Sequence, residues 1–79
     1  MAEILLVEDK DSLRQMLRMT LQSAGHTVDE ATDGAEARRR LHEARYKLVI
    51  TDLKMPRADG LEVLRAARTA DADTSVILL

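Results

Sequence analysis

The chain contains no cysteine, tryptophan or phenylalanine, and its 79 residues include only one tyrosine and one proline. The absence of cysteine excludes disulfides and thiolate metal sites, so the core must hold the fold without cross-links, as suits a reducing compartment. The apolar run Ile4–Val7 is too short to cross a membrane, and the N-terminus lacks the basic region of a signal peptide. We therefore expect a cytoplasmic protein with no membrane partner.

An excess of charge of one sign is also missing. Twelve basic and 14 acidic residues give a formal net charge of -2. This balance gives no support to nucleic-acid or membrane binding, both of which favour a basic surface. Hydrophobic residues make up 46% and charged residues 33%, as in ordinary globular proteins. The length allows at most one domain, which we take to span residues 1–79.

Two hydrophobic rhythms alternate along the chain. The continuous apolar run at residues 4–7 predicts a strand buried on both faces, and further strands are predicted at 26–31, 46–52 and 75–79. Apolar residues spaced three and four apart predict a helix after each of the first three strands. Asp11 or Ser12, Asp33 and Asp59 are placed to cap these helices, and Gly25 to end the first. This alternation predicts an α/β fold with a parallel sheet.

Acidic residues follow two of the predicted buried strands. Glu8 and Asp9 come after the first strand, and Asp52 ends the third. Ligands bind beyond the carboxyl ends of parallel strands, where the strand order reverses. With the order 2-1-3-4 the three carboxylates would converge, whereas the order 3-2-1 would separate them. Acids at strand ends also commonly cap the next helix or stay solvated.

Three converging carboxylates repel one another, so protons, a lysine or a cation must offset their charge. A cluster of oxygen atoms open to solvent suits Mg²⁺, which prefers oxygen ligands. Mg²⁺ beside the cluster would also neutralise incoming phosphoryl oxygens. Asp52 could then act as a nucleophile and form an acyl phosphate.

Residues 48–62, with the sequence LVITDLKMPRADGLE, closely resemble the phosphorylation-site region of response-regulator receiver domains. The opening ILLVED at residues 4–9 is similar to the acidic-pair strand of that family, and Asp33-Gly34 with Ala37 resembles the start of its second helix. The resemblance runs from residue 3 to residue 79. It implies a flavodoxin-like (CheY-like) doubly wound parallel sheet with the strand order 2-1-3-4.

The resemblance also implies a role for each matching residue. Asp52 would accept a phosphoryl group from a phosphohistidine of a sensor histidine kinase, which makes the domain a self-modifying switch and not a turnover enzyme. Asp9 would bind Mg²⁺ directly, Glu8 would act through a water or weakly, and the backbone carbonyl of Lys54 would supply another ligand. The loop beside them would be shaped by Met55, Pro56 and Gly60.

The family carries a Thr or Ser at the end of its fourth strand and a Lys at the end of a fifth, and neither position falls within these residues. We therefore expect a receiver domain that is incomplete at its C-terminus, truncated before the last strand and the last two helices. The fourth strand would then be an open edge, which favours self-association. The switch would act on an effector or output domain outside this chain, for which a DNA-binding domain with a transcriptional role is the candidate.

Two alternatives remain. One is a Mg²⁺-dependent aspartyl-phosphate phosphatase that resembles the haloacid dehalogenase group. That group needs a second Asp two residues after the nucleophile, where this chain has Lys54. The other is an inactive pseudo-receiver that acts as a binding module, which the intact acidic set disfavours.

Overall fold

The computed structural model describes residues 2–53 and 60–79 of the chain. Strands and helices alternate along these residues as the hydrophobic rhythms predict. The elements are β1 (Ile4–Val7), α1 (Asp11–Ser23), β2 (Val28–Ala31), α2 (Gly34–Glu43), β3 (Leu48–Thr51), α3 (Gly60–Ala70) and β4 (Ser75–Leu78). Both β2 and β3 are shorter than predicted. Their ladders with β1 extend over only the four residues of that strand.

The four strands form one parallel sheet with the order β2-β1-β3-β4. The last residue of β1, Val7, lies opposite Ala31 of β2 and Thr51 of β3. This arrangement confirms the predicted order 2-1-3-4 and excludes the order 3-2-1. The carboxyl ends of β1 and β3 are therefore direct neighbours.

The central strand β1 supplies side chains to both faces of the sheet. Leu5 and Val7 belong to a buried cluster on the face that α2 and α3 cover, completed by Ala31, Ala37, Leu41, Tyr46, Val49, Val63 and Ala67. Ile4 and Leu6 belong to a smaller cluster on the other face, with Ile50 and the partly buried Leu17, Leu21, Val28 and Leu48. All four β1 residues are buried, as a run of apolar residues predicts for a central parallel strand.

Helix α1 ends as the sequence predicts. Gly25 has a φ of 95°, the left-handed conformation that glycine adopts at low cost. Its N–H donates to the carbonyl of Gln22 at 3.0 Å, and the N–H of His26 donates to the carbonyl of Leu21 at 3.1 Å. These two hydrogen bonds form the Schellman motif, which satisfies carbonyl groups at the helix end.

The helix starts agree with the sequence in one case and differ in another. At the start of α2, the carboxylate of Asp33 accepts a hydrogen bond from the N–H of Glu36 at 2.8 Å, which confirms the predicted cap. The predicted cap of α1 by Asp11 or Ser12 is wrong, because Lys10 occupies the cap position without a side-chain cap. Asp11 lies inside the helix and binds Arg14 instead. The predicted cap of α3, Asp59, lies outside the described residues.

None of the helices in the described part of the chain combines the length and apolar character that a membrane crossing requires.

Candidate functional site

The structure brings the three acidic residues together at the carboxyl edge of the sheet. Glu8 and Asp9 follow β1, and Asp52 follows β3. The two strand ends are tied by a hydrogen bond of 3.1 Å from the N–H of Asp52 to the carbonyl of Val7. One carboxylate oxygen from each acid lies within 4.8 Å of the others. The adjacent placement of β1 and β3 is what produces this acidic cluster.

Glu8 is the most buried member of the cluster, with 1% of its surface exposed. Its Oε2 accepts a hydrogen bond of 2.9 Å from the N–H of Lys10. Burial raises the pKa of Glu8 above the usual carboxyl value, the Lys10 N–H opposes that rise, and the neighbouring Asp9 and Asp52 add to it. The site therefore favours a proton or a cation beside Glu8 over three unscreened negative charges.

Asp9 supplies an oxygen atom that is suited to a cation. Its Oδ1 is buried and has no hydrogen-bond partner among the described residues. A buried carboxylate oxygen without a partner is costly unless a cation or a donor satisfies it. Asp9 and Asp52 are each partly exposed, so an ion could reach them from solvent.

Mg²⁺ fits this set of donors. Because Mg²⁺ binds oxygen at about 2.1 Å, oxygen atoms on opposite sides of the ion lie roughly 4.2 Å apart. The three carboxylate oxygen atoms lie within 4.8 Å of one another, a spacing close to that of oxygen atoms around one Mg²⁺. One oxygen of Glu8 already accepts from Lys10, which suits contact with the ion through a water. Asp9 and Asp52 are then the members of the cluster best placed to bind directly.

Gly60 lies against the backbone of Asp52, the acidic residue that follows β3. Its N–H donates to the carbonyl of Leu53 at 2.8 Å. A Cβ atom at this position would lie 2.7 Å from the carbonyl oxygen of Asp52 and 2.9 Å from the Cα of Leu53. A side chain at position 60 would therefore collide with main-chain atoms. The three remaining residues predicted for the site lie outside the described residues: Lys54, Met55 and Pro56.

Arg14, which the sequence patterns did not single out, is only 9% exposed. Its Nη1 donates to the backbone carbonyl of Glu8 at 2.9 Å, and its Nη2 donates to Asp11 at 2.6 Å. The sequence contains a signal for this position, since Arg14 lies three residues before Leu17 and seven before Leu21, both of which pack inward. A charged residue on the apolar stripe of a helix usually has partners.

A hollow of about 460 Å³ lies elsewhere, between α2 and α3. Basic, small and apolar side chains line it: Arg38, Leu41, His42, Arg45, Ala66, Thr69 and Ala70. It shares no residue with the acidic cluster. The acidic site predicted from the sequence therefore lies at the carboxyl edge of the sheet and not in this hollow.

Comparison with known proteins matches residues 4–79 to the family described as "Response regulator receiver domain". The chain is 43% identical over 77 residues to the transcriptional regulatory protein ResD of Bacillus subtilis, which covers 98% of this chain and 32% of ResD. It is 38% identical over 79 residues to the response regulator receiver protein CpdR of Brucella abortus, covering 100% of this chain and 66% of CpdR. The chain thus spans less than two thirds of the length of these relatives.

A solved structure shares the fold. The response regulator protein TrrA of Thermotoga maritima, crystallised with Mg²⁺ and BeF, matches with a TM-score of 0.90 and 38% identity over 99% of this chain and 68% of that one. TrrA has also been crystallised in complex with the histidine kinase ThkA, where the match covers 99% of this chain with a TM-score of 0.87. These matches confirm the predicted CheY-like α/β fold.

Proposed function

Because the chain belongs to the response regulator receiver domain family of two-component signalling, we propose that it works as a phosphoryl-accepting switch with Asp52 as the acceptor. The observation that supports this proposal is the convergence of Glu8, Asp9 and Asp52, whose carboxylate oxygens lie within 4.8 Å of one another. We propose that residues 1–79 belong to a single receiver domain. Receiver domains are typically phosphoacceptors and not turnover enzymes.

In the proposed reaction a carboxylate oxygen of Asp52 attacks the phosphorus atom of a phosphohistidine. The new oxygen–phosphorus bond forms while the bond between phosphorus and the imidazole nitrogen breaks. The electron pair of the broken bond stays on that nitrogen, which then takes a proton from solvent. The product at Asp52 is an acyl phosphate.

The other residues of the cluster would prepare Asp52 for this step. The hydrogen bond from the Asp52 N–H to Val7 holds its main chain at the end of β3. Asp9 would bind Mg²⁺ directly and Glu8 through a water. When bound, Mg²⁺ would supply positive charge beside the phosphoryl oxygens and so lower the repulsion between them and the carboxylates.

The loop after β3 would complete the site. We propose that the backbone carbonyl of Lys54 is a further Mg²⁺ ligand and that Met55 and Pro56 shape the loop. Their positions directly after Asp52 in the chain support these roles. Gly60 would allow α3 to start against this loop, in line with the short distances that would separate a Cβ atom at position 60 from Asp52 and Leu53.

The comparisons support partners on both sides of the switch. We propose a sensor histidine kinase as the phosphodonor, since TrrA has been crystallised with the kinase ThkA. We propose an effector domain outside these residues, with a DNA-binding domain as the candidate, because this chain covers 32% of the transcriptional regulatory protein ResD. Phosphorylation of Asp52 would change the conformation of the domain and so the activity of that effector.

The proposed acceptor can be tested by intact-mass measurement after incubation with acetyl phosphate and Mg²⁺. We expect the wild type to gain one phosphoryl group, which hydroxylamine then removes because it cleaves acyl phosphates. Asp52→Asn should gain none, since an amide is a poor nucleophile. Removing Mg²⁺ with a chelator should abolish the modification of the wild type.

Asp73→Asn is the matched control. Asp73 is an exposed acid in the turn before β4, away from the acidic cluster, so the variant should be modified like the wild type. A phosphoryl group on Asp52→Asn would show that another residue is the acceptor. A wild type that is never modified would refute the proposed function.

A further inference from the structure

The side chain of Arg14 is largely buried, with 11% of it exposed. A buried cation needs acceptors that replace its water shell, and here two elements provide them through hydrogen bonds. The carbonyl of Glu8 comes from the end of β1, and the carboxylate of Asp11 from the first turn of α1. The carboxylate of Glu30, on β2, lies 3.9 Å from Nε, close enough for an ion pair but not for a hydrogen bond, and Nε has no hydrogen-bond partner among the described residues.

The bond from Arg14 to Glu8 falls on the peptide group that joins the two acidic residues. The Glu8 carbonyl shares a rigid plane with the N–H of Asp9, and this plane fixes the Cα atoms of both residues. The β1 ladder in this region ends with the bonds of the Glu8 N–H and the Val7 carbonyl. The Arg14 side chain therefore extends the constraint of the sheet by one peptide group, up to the residues that carry the carboxylates.

The positive charge of Arg14 contributes little to the electrostatic potential at the acidic cluster. Asp11 accepts from it at 2.6 Å, and Glu30 lies beside it as a second carboxylate. Asp11, together with a Glu30 that Arg14 shares with Arg18, thus offsets the charge locally. What Arg14 provides to Glu8 is a hydrogen bond of fixed direction, which the planar fork of a guanidinium supplies better than the ammonium of lysine.

We propose that Arg14 is a positioning residue for the metal site, which it serves by holding the peptide plane between Glu8 and Asp9. The inference rests on the proposed function, because it requires the acidic cluster to bind Mg²⁺. Arg14 does not touch the ion. It would act through the peptide group between Glu8 and Asp9, as groups behind metal ligands commonly do.

The test is a calorimetric titration of the protein with Mg²⁺ alone. Residues that orient metal ligands typically change the affinity by 10-fold or more, so Arg14→Lys should raise the Kd for Mg²⁺ by about 10-fold. Arg14→Gln should raise it by a similar factor, because both variants lose the guanidinium fork. A role through charge predicts a different pattern, in which Arg14→Lys binds like the wild type and Arg14→Gln binds more tightly.

Arg18→Lys is the matched control. Arg18 is on the same helix and lies 3.4 Å from the same Glu30, but this ion pair does not involve Glu8. This variant should lose some stability and keep the Kd within about twofold of the wild type. The amide resonance of Asp9 gives a second readout without Mg²⁺, because its N–H lies in the plane that Arg14 holds. That resonance should shift in both Arg14 variants and stay in place in Arg18→Lys.

The outcomes distinguish the proposed function from the role of Arg14. A wild type that does not bind Mg²⁺ would overturn the proposed function itself. A wild type that binds, together with Arg14 variants that bind equally well, would overturn only the role of Arg14. Equal weakening in the Arg14 and Arg18 variants would reduce that role to general stability, and this too would overturn the inference. If the Arg14 variants fold too poorly for a titration with Mg²⁺, the amide resonance of Asp9 serves as the readout. A resonance that keeps its wild-type chemical shift in the folded fraction of these variants would also overturn the inference.

Discussion

Gly60→Ala adds a single methyl group at the point where α3 meets the end of β3. The new Cβ would lie 2.7 Å from the carbonyl oxygen of Asp52, 2.9 Å from the Cα of Leu53 and 3.2 Å from a methyl carbon of Leu78. The Leu78 side chain can rotate away. The two main-chain atoms cannot, because the N–H of Asp52 is bound to Val7 and the carbonyl of Leu53 accepts from Gly60 itself. Relief of the clash must therefore move α3 away from β3.

The expected cost follows from two opposing effects. Overpacking against atoms that cannot move destabilises a protein by about 1–3 kcal/mol. Gly60 is helical and does not have a positive φ, so alanine fits its backbone conformation. Because alanine also restricts the unfolded chain, it stabilises the folded state by about 0.4–1 kcal/mol. The net loss in the free energy of unfolding should be about 1–2 kcal/mol. In urea, where small proteins lose roughly 1 kcal/mol per molar denaturant, the midpoint should fall by on the order of 1 M.

The assay combines urea unfolding with Mg²⁺ titration, and Gly25→Ala is its control. Gly25 has a φ of 95° and open space around its Cβ position, so alanine there strains the backbone without a clash. That strain costs about 1–2 kcal/mol, similar to the loss expected at position 60. Only Gly60→Ala should also weaken Mg²⁺ binding, because only there does the methyl group press on Asp52. A Gly60→Ala variant as stable as the wild type would refute the reasoning about the clash.

Glu8, Tyr46 and the β4 edge each give a further prediction. Burial raises the pKa of Glu8, so the folded state binds the proton of this carboxyl group more tightly than the unfolded state does. Without Mg²⁺, the free energy of unfolding should therefore fall as the pH rises from the usual carboxyl pKa of 4.5 through the raised pKa of Glu8. Glu8→Gln should flatten this part of the profile in chelator-treated samples, and parallel wild-type and variant profiles would contradict the assignment. Burial, followed by the hydrogen bond to Asp29, raises the pKa of Tyr46 to about 12. Because Tyr46 is the only tyrosine, ultraviolet absorbance should show one ionisation near that pH, and Asp29→Asn should lower its midpoint only in part; a midpoint near 10 in the wild type would count against the burial of the ring. The β4 edge exposes the apolar side chains of Ile77 and Leu78, and Leu79 directly after the strand is exposed as well. We therefore expect the 79-residue chain to self-associate as its concentration rises. Sedimentation should show less association for Ile77→Lys, and a wild type that stays monomeric at every concentration would oppose the idea.

Much of the fold could be predicted because local patterns and the fold agree. The four residues of β1 are all apolar, a pattern that predicts a strand covered on both faces, and the structure buries all four. Gly25 was predictable as a helix end because few other residues adopt its positive φ. The positions of Glu8, Asp9 and Asp52 after the first and third strands are visible in the sequence. Their convergence required β1 and β3 to be neighbours, and the observed strand order confirms this.

The inward face of α1 could not be predicted as well. By its spacing Met16 belongs to the same apolar stripe of α1 as Leu17 and Leu21, yet Met16 is 56% exposed and Arg14 is buried. The spacing of the helix places Arg14 on the inward side, but it does not reveal the hydrogen bond to the carbonyl of Glu8 that makes the burial of this arginine possible. The lengths of β2 and β3 were overestimated for a related reason. A parallel strand continues only as far as its neighbour does, and β1 is short.

The alternating side chains of β1 divide the interior into two compartments. Among the described residues, the cluster under α1 and the cluster under α2 and α3 have no side chain in common, although both are built on the same strand. A change of volume under one layer of helices is therefore absorbed by that layer and passes to the opposite layer only through the main chain of the sheet. Substitutions in one compartment should therefore be compensated within that compartment, and the carboxyl edge with its acidic residues should keep the same frame.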